Sequence, residues 1–223
     1  MSSVVIYGDV SPNVIDGSSI WLVSVAEALS GVFDDVHLQL KGRLQNRTLM
    51  QSVDSIANIH AHEPDISDVS AALDVQDAAK AVQSLVDKYQ ASAVVVRGFE
   101  AAYEFSLNES LSPILWPYVT DLPFPPEKLS DTNTQRLTHL ADHSCRVFAQ
   151  TEAARSYWEA LVPQAAGKVL LIPPMIPDYA YTDQNENEEQ FGEQLRIVYA
   201  GKLAREWKTL EMLELPSALA KHG

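Results

Sequence analysis

The sequence predicts an α/β fold: a mostly parallel β-sheet covered by helices on both faces, with the opening of a second such domain behind it. Three observations lead there. Short apolar runs alternate with helical stretches along most of the chain, the pattern of repeated β-α-β units. The clearest runs, Val4–Tyr7 and Ala93–Val96, are wholly apolar rather than alternating, as strands buried on both faces must be. Composition then changes sharply at 181–194, where Asp183-Gln-Asn-Glu-Asn-Glu-Glu189 holds no apolar residue, before a strand-and-helix pattern resumes at Leu195.

Taken in order, Val4–Tyr7 ends at Gly8 and is the first strand. After the loop Asp9–Asp16, Trp21, Val25, Leu29 and Val32 fall on one helical stripe, and Gly31 suits its stop. Val36–Leu40 reads as a second strand and Ser55–Ile59 as a third. Asp74 caps an amphipathic helix reaching Tyr89, with Val75, Ala79, Val82 and Val86 facing inward. Ala93–Val96 is the next strand. Ile114–Val119 is another, and Pro117 argues against a central place for it, because proline cannot donate to a ladder. Leu129–His143 is mostly helical, Val147–Ala149 a strand, Thr151–Val162 a helix with Tyr157, Trp158 and Leu161 on its apolar side, and Val169–Ile172 a strand. The expected division is one complete domain over 1–180, an acidic linker over 181–194, and the first strand and helix of another domain over 195–223. Pro216 is expected to break or restart the helix after Leu215.

Of the 223 residues, 46% are apolar and 21% charged, an ordinary globular mix. The net charge of −14 argues against nucleic acid or an anionic bilayer as the main partner. Cys145 is the single cysteine, so no intrachain disulfide forms. No apolar run approaches the roughly 20 residues of a membrane span. The amino terminus runs into a strand without a signal-peptide pattern, and the expected location is the cytoplasm.

Ligands of parallel sheets sit beyond the carboxyl ends of the strands, which directs attention to the loops from Gly8, Arg97, Thr120, Gln150 and Pro173. Gly8-Asp9-Val10-Ser11-Pro12 lacks the G-x-G-x-x-G cradle of dinucleotide sites. Asp16-Gly17-Ser18-Ser19 opens the first helix; its backbone N–H groups suit a phosphate, and Asp16 or Ser18 equally suits an ordinary N-cap. Arg97-Gly98 and Thr120-Asp121 put charge and hydroxyl at the sheet edge, as a cleft for a polar substrate would need. His60-Ala-His62, near Glu63 and Asp65, has metal-ligand residue types but no third ligand at fixed spacing and reads as a loop. His139 and His143 have helical spacing without the glutamate of H-E-x-x-H, and no G-x-S-x-G elbow occurs. No metal centre is expected. Lys202, Arg205 and Lys208 cluster around Gly201 and a helix start; either they hold an anion, or Lys202 and Lys208 pair with Glu206 and Glu211 on a solvated helix.

Five short motifs in order resemble the retaining, nucleotide-sugar-dependent glycosyltransferases of the GT-B fold, the group 1 or glycogen-synthase-like family. They are Val4–Tyr7 followed by Asp16-Gly17 and a long helix, Tyr118-Val-Thr-Asp-Leu-Pro123, Ala141-Asp142 through Val147-Phe148-Ala149-Gln150-Thr151-Glu152, Ile172-Pro-Pro-Met-Ile-Pro-Asp178, and Gly201-Lys202-Leu203 with Lys208. The resemblance implies two Rossmann-like domains facing a nucleotide-sugar donor. It implies that Gly17, Ser18, Lys202 and Lys208 bind the donor phosphates, that Arg97 and Asp121 line the acceptor side, and that Thr120 and Asp121 serve catalysis. It also implies a sugar or glycolipid acceptor, no cofactor beyond the donor substrate, and a leaving phosphate that itself accepts the acceptor's proton. The chain departs from the family pattern at Asp16 (for glycine), Thr120 (for histidine), Pro174-Met175 (for Asn-Gly) and a Lys202-to-Lys208 spacing one residue longer. On this reading the chain holds the acceptor-side domain and only the start of the donor domain. It is expected to be inactive alone, and to self-associate through the apolar run Leu195–Ala200. The rival readings are a non-catalytic α/β binding module and a sugar-nucleotide epimerase.

Overall fold

Seven parallel strands make one sheet in the order β3-β2-β1-β4-β5-β6-β7. The structure, a computed structural model, describes residues 2–120, 122, 128–173 and 214–219. The chain divides into two units, Met1–Asp183 and Gln184–Gly223, and the sheet belongs to the first. Its elements are β1 (Ser3–Gly8), α1 (Gly17–Ser30), β2 (Asp35–Gln39), α2 (Gln51–Asp54), β3 (Ile59–His62), α3 (Val75–Tyr89), β4 (Ala93–Arg97), α4 (Phe99–Ser106), β5 (Leu115–Tyr118), α5 (Asp131–Asp142), β6 (Val147–Ala149), α6 (Glu152–Leu161) and β7 (Val169–Leu171). The α/β fold class is the one the sequence predicts. In the second unit the described residues form a short helix, Leu215–Leu219, with Pro216 in its first turn, where a missing N–H costs nothing. The linker 181–194, the strand candidate Leu195–Ala200 and the basic cluster lie outside the described residues.

Two cores sandwich the sheet. Val4 and Ile6 of β1 point to one face, where α1 supplies Trp21, Leu22, Val25 and Ala26 and α2 supplies Val53. Val5 and Tyr7 point to the other, against Ala78 and Val82 of α3, Phe105 of α4, Leu137 of α5 and Trp158 of α6. The alternation follows from the pleat, and the wholly apolar strands supply both faces at once. Asp74 accepts hydrogen bonds from the amides of Gln76 and Asp77, so it caps α3 as expected.

Four elements differ from the sequence reading. The third strand is Ile59–His62 rather than Ser55–Ile59; Ser55–Asn58 instead form the turn after α2, where Asn58 Nδ2 donates to the carbonyls of Ser30 and Phe33. His60 and His62 therefore lie in a strand, not a loop. The helix α4 follows β4 directly; with only eight residues it shows little periodicity in sequence. Val32 is 73% exposed, because α1 ends at Ser30 and Gly31 caps it before the stripe reaches Val32. Finally, β5 lies well inside the sheet despite Pro117. Cys145 N donates to Leu115 O, so the odd-numbered backbone groups of β5 face β6, and the alternation puts the donor-less nitrogen of Pro117 there too. The β5–β6 ladder accordingly shrinks to the single pair Tyr118↔Phe148, while β4 pairs with β5 over four residues.

A histidine cluster fills the corner of β2, β3 and α3. His37, only 2% exposed, stacks on Tyr89 with ring centres 3.7 Å apart, and its Nδ1 lies 3.1 Å from His62 Nε2. His60 pairs with Asp35 at 3.2 Å. Burial first, and then the neighbouring imidazoles and Lys88, push His37 down to about 4, against the opposing pull of Asp35. His62 is lowered by the same order of causes. Both folded values lie below the unfolded one, so the folded chain excludes protons. Stability is full above the ordinary histidine value of 6.5 and is lost as pH falls from there toward about 4. His37→Phe, which keeps the stack on Tyr89, is expected to shrink the gap between urea midpoints measured at about pH 7 and about pH 5. An unchanged gap would assign the acid sensitivity elsewhere.

Candidate functional site

The chain starts at β1, moves outward to β3, then crosses back to β4 and outward to β7. The loops leaving β1 and β4 therefore run in opposite directions from neighbouring strands, which opens a crevice at the carboxyl edge. Gly8 and Arg97 are register partners there. Asp9 N donates to Arg97 O at 3.0 Å, and Gly98 has φ of 112°, a conformation suited to glycine. A Cβ on Gly98 would stand 3.0 Å from Asp9 Cβ, so the two loops are pressed together. The Asp9 carboxylate is fixed by Lys41 Nζ at 2.7 Å and by the Tyr7 hydroxyl, which donates to it at 3.4 Å. Burial, followed by the Asp9 charge, pushes the Tyr7 hydroxyl far above its ordinary value, so it stays a donor.

Arg97 ends β4, and Thr120 and Gln150 follow the ends of β5 and β6, so the structure brings three of the expected loop starts onto one edge beside Gly8. The Arg97 guanidinium lies 5.8 Å from the Trp21 ring centre, and its Nε is buried without a hydrogen-bond partner. Thr120 lines a cavity of about 180 Å³ together with Val119, Leu122, Gln150, Ala153 and Ala154. At the start of α1, Asp16 Oδ1 accepts from the amides of Ser18 (2.9 Å) and Ser19 (3.0 Å), and Ser19 Oγ accepts from Asp16 N (2.9 Å). The residue in the capping box is thus Ser19, and the amides of Ser18 and Ser19 are already engaged by a carboxylate. The outer side of that turn is open: a Cβ on Gly17 would meet nothing within 4 Å. Asp121, Lys202 and Lys208 lie outside the described residues. Among the described residues no group of three or more His, Cys, Asp or Glu side chains is arranged to hold a metal ion. No helix among them is long and apolar enough to cross a membrane.

The sequence places Trp21 on the apolar stripe of a helix, Tyr118 at the head of a strand-end motif with no role of its own, and Asp9 in a loop. Trp21 stacks on Tyr118 at 4.6 Å, so both aromatic rings stand beside Arg97 at the crevice. The register of Arg97 with Tyr118 is a property of strand pairing, which no local pattern announces.

No protein-family model matches the chain, and no curated protein matches it. Solved structures do match in fold. A glycosyltransferase from Rickettsia africae is similar with a TM-score of 0.52 and 14% identity, over 77% of this chain and 43% of that one. Anabaena HepE in complex with UDP and glucose gives 0.50 and 14%, over 77% and 44%. The UDP-N-acetylglucosamine 2-epimerase from Rickettsia bellii gives 0.50 and 15%, over 78% and 45%. The chain spans less than half the length of each. At these identities the likeness is one of fold, the Rossmann-like α/β sheet that GT-B glycosyltransferases share with such epimerases.

Two substitutions probe the edge. Asp16→Ala removes both acceptor bonds at the start of α1 and is expected to lower stability by about 1 kcal/mol in denaturant melts. Gly98→Ala forces a side chain into positive φ and against Asp9, and is expected to lose roughly 1–3 kcal/mol by the same measurement. Equal stability to the parent in either case would contradict the geometry described.

Proposed function

We propose that the chain takes part in glycosyl transfer from a nucleotide-sugar donor to a sugar or glycolipid acceptor, as the acceptor-side domain of a GT-B enzyme of the retaining, group 1 type. The observation that carries this reading is the crevice at β1 and β4 in a parallel sheet whose fold is shared with HepE, a protein solved with UDP and glucose. The ordered motifs ending in Lys202 and Lys208 support it. In this reading Lys202 and Lys208 neutralise the donor diphosphate. Gly17 gives the ligand close approach, and Ser18 contributes its hydroxyl, since its amide is bound to Asp16. Thr120 and Asp121 face the reacting sugar, and Arg97 with Asp121 holds the acceptor. Preorganised cations stabilise the departing diphosphate, which takes the acceptor's proton, so no side-chain base is required. The protein carries a charge of −14, and an anionic donor therefore depends on this local concentration of lysine.

Calorimetric titration of the 223-residue chain with UDP, UMP and UDP-glucose tests the proposal. UDP is expected to bind more tightly than UMP, because the second phosphate meets the lysines. Lys202→Ala and Lys208→Ala should each weaken UDP roughly tenfold or more, the worth of a charge-assisted hydrogen bond. Equal affinity for UDP and UMP, or no binding of either, overturns the proposal. Conversion of a UDP-sugar to its epimer without an acceptor would assign the chain to the epimerases instead.

A further inference from the structure

Three polar atoms buried on the α1 face of the sheet lack a well-formed hydrogen bond, and their side chains pack on one another. Trp21, in the second turn of α1, stacks on Tyr118 at the end of β5 with 15° between the rings. Arg97, register partner of Tyr118, places its guanidinium against the same indole. Trp21 Nε1, Arg97 Nε and the Tyr118 hydroxyl are each buried without a well-formed hydrogen bond; the Tyr118 hydroxyl has the Trp21 N–H and the Gln150 side chain as loose polar neighbours, and Arg97 Nε has none. The first two can only donate, while the third both donates and accepts, so the cluster holds more donors than acceptors and Arg97 Nε is the one left over. Native proteins seldom leave even one buried donor unmatched.

Arg97 adds a charge to the account. No carboxylate among the described residues pairs with it; Asp9, in the adjoining loop, is taken up by Lys41 and Tyr7. The amino end of α4 begins at the next residue but one, and its Gly98 cap supplies no side-chain acceptor, so the helix adds positive potential at the same edge. A water molecule satisfies donors but leaves the arginine charge uncompensated against an aromatic wall. An oxyanion does both. Arg97 is only partly buried, which keeps the cation within reach of a ligand.

We infer that Arg97, Trp21 and Tyr118 form a subsite for one oxyanion, a carboxylate or phosphate group, at the carboxyl edge of β4 and β5. That this group belongs to the sugar acceptor rests on the transferase reading above, and would make the acceptor an acidic sugar or a sugar phosphate; the subsite itself does not rest on it. Burial raises the Tyr118 hydroxyl's pKa, and the Gln150 side chain opposes that by a loose hydrogen bond to it; Gln150 follows the next strand end and borders the Thr120 cavity, where the neutral remainder of such a ligand would extend.

The test titrates the full chain with inorganic phosphate and, separately, with acetate, following heat and tryptophan fluorescence. Saturable binding of at least one ion is expected, because Trp21 lies in the site. Arg97→Gln should weaken it roughly tenfold or more, and Tyr118→Phe, which keeps the ring and its stack, by a smaller factor. Circular dichroism and the thermal midpoint establish that each variant is folded; Arg97→Lys, which keeps the charge and loses the buried Nε, replaces Arg97→Gln if that variant does not fold. The preferred ion tells phosphate from carboxylate. No saturable binding of either ion, or binding indifferent to both substitutions, as for phosphate held only by Lys202 and Lys208, overturns the inference. Phosphate binding at Arg97 in a chain that binds no UDP would remove the transferase reading and leave the subsite standing; the reverse result would remove the subsite alone.

Discussion

The pairing of β1 with β4 is the constraint on which the rest of the domain depends. Parallel strands cannot be joined by a tight turn, so each connection crosses a face of the sheet and returns to its starting edge. The first half of the chain spends its crossovers moving outward to β3. The second half must therefore return past β1, and the five-residue register from Val4↔Ala93 to Gly8↔Arg97 is where the halves join. Both strands are buried on both faces, and a slip by one residue would exchange their entire side-chain sets between the two cores. That makes the join a well-specified one. It also sets two loops back to back above it, with Gly98 pressed on Asp9, and the crevice follows from topology before any particular side chain is chosen.

Charge is distributed over that edge by the same geometry. Lys41 comes off the end of β2 and Asp9 off the end of β1, and their ion pair joins loops from adjacent strands. Both partners are about three-quarters buried, so the pair is better shielded than those on the outer helices, such as Lys80 with Asp77. The Tyr7 hydroxyl, held protonated by burial, braces Asp9 from below. One acid and one base thus cancel at the mouth of the crevice, and Arg97 on the neighbouring strand remains as the cation with no counter-charge among the described residues. An acidic protein with one unpaired arginine at its topological switch point has an uneven field there, whatever ligand it serves.

Elements whose sequence pattern coincides with their burial were legible from residues alone. The runs Val4–Tyr7 and Ala93–Val96 are apolar because both faces are covered, and α3 announces itself by its Asp74 cap and its inward valines. The third strand escapes a reading by apolar runs because it lies at the sheet's edge and carries His60 and His62, whose polarity breaks the pattern. The helix α4 is not legible because two turns are too few to show a period, and Pro117 does not exclude an interior strand because the cost of its missing donor falls on one neighbouring strand only. Strand ends locate a cleft by rule, so Arg97, Thr120 and Gln150 could be named. Trp21 could not, since an aromatic on an apolar stripe reads as core, and the stack of Trp21 on Tyr118 is a tertiary contact that the Tyr118 motif does not announce. Asp16 shows the opposite case: both readings of the Asp16-Gly17-Ser18 turn were open in the sequence, and two hydrogen bonds decide that its carboxylate is a cap.

The two unusual regions of the domain, the histidine corner and the crevice, are joined by one strand. β2 carries His37, the most buried of the three imidazoles in that corner, and Lys41 follows the end of the same strand, where it holds Asp9 in the crevice. A strand transmits position along its length because its ladder to β1 fixes each residue against a partner: Val5 lies opposite His37 and Tyr7 opposite Gln39. Protonating His37 favours exposing it, and exposure cannot be had by rotating one ring that is stacked on Tyr89 and flanked by His62. It requires β2, β3 or α3 to move. Of these, β2 is the element that also sets where Lys41 meets Asp9, so the order of the acid-sensitive edge and the electrostatic balance of the crevice are properties of a single ladder.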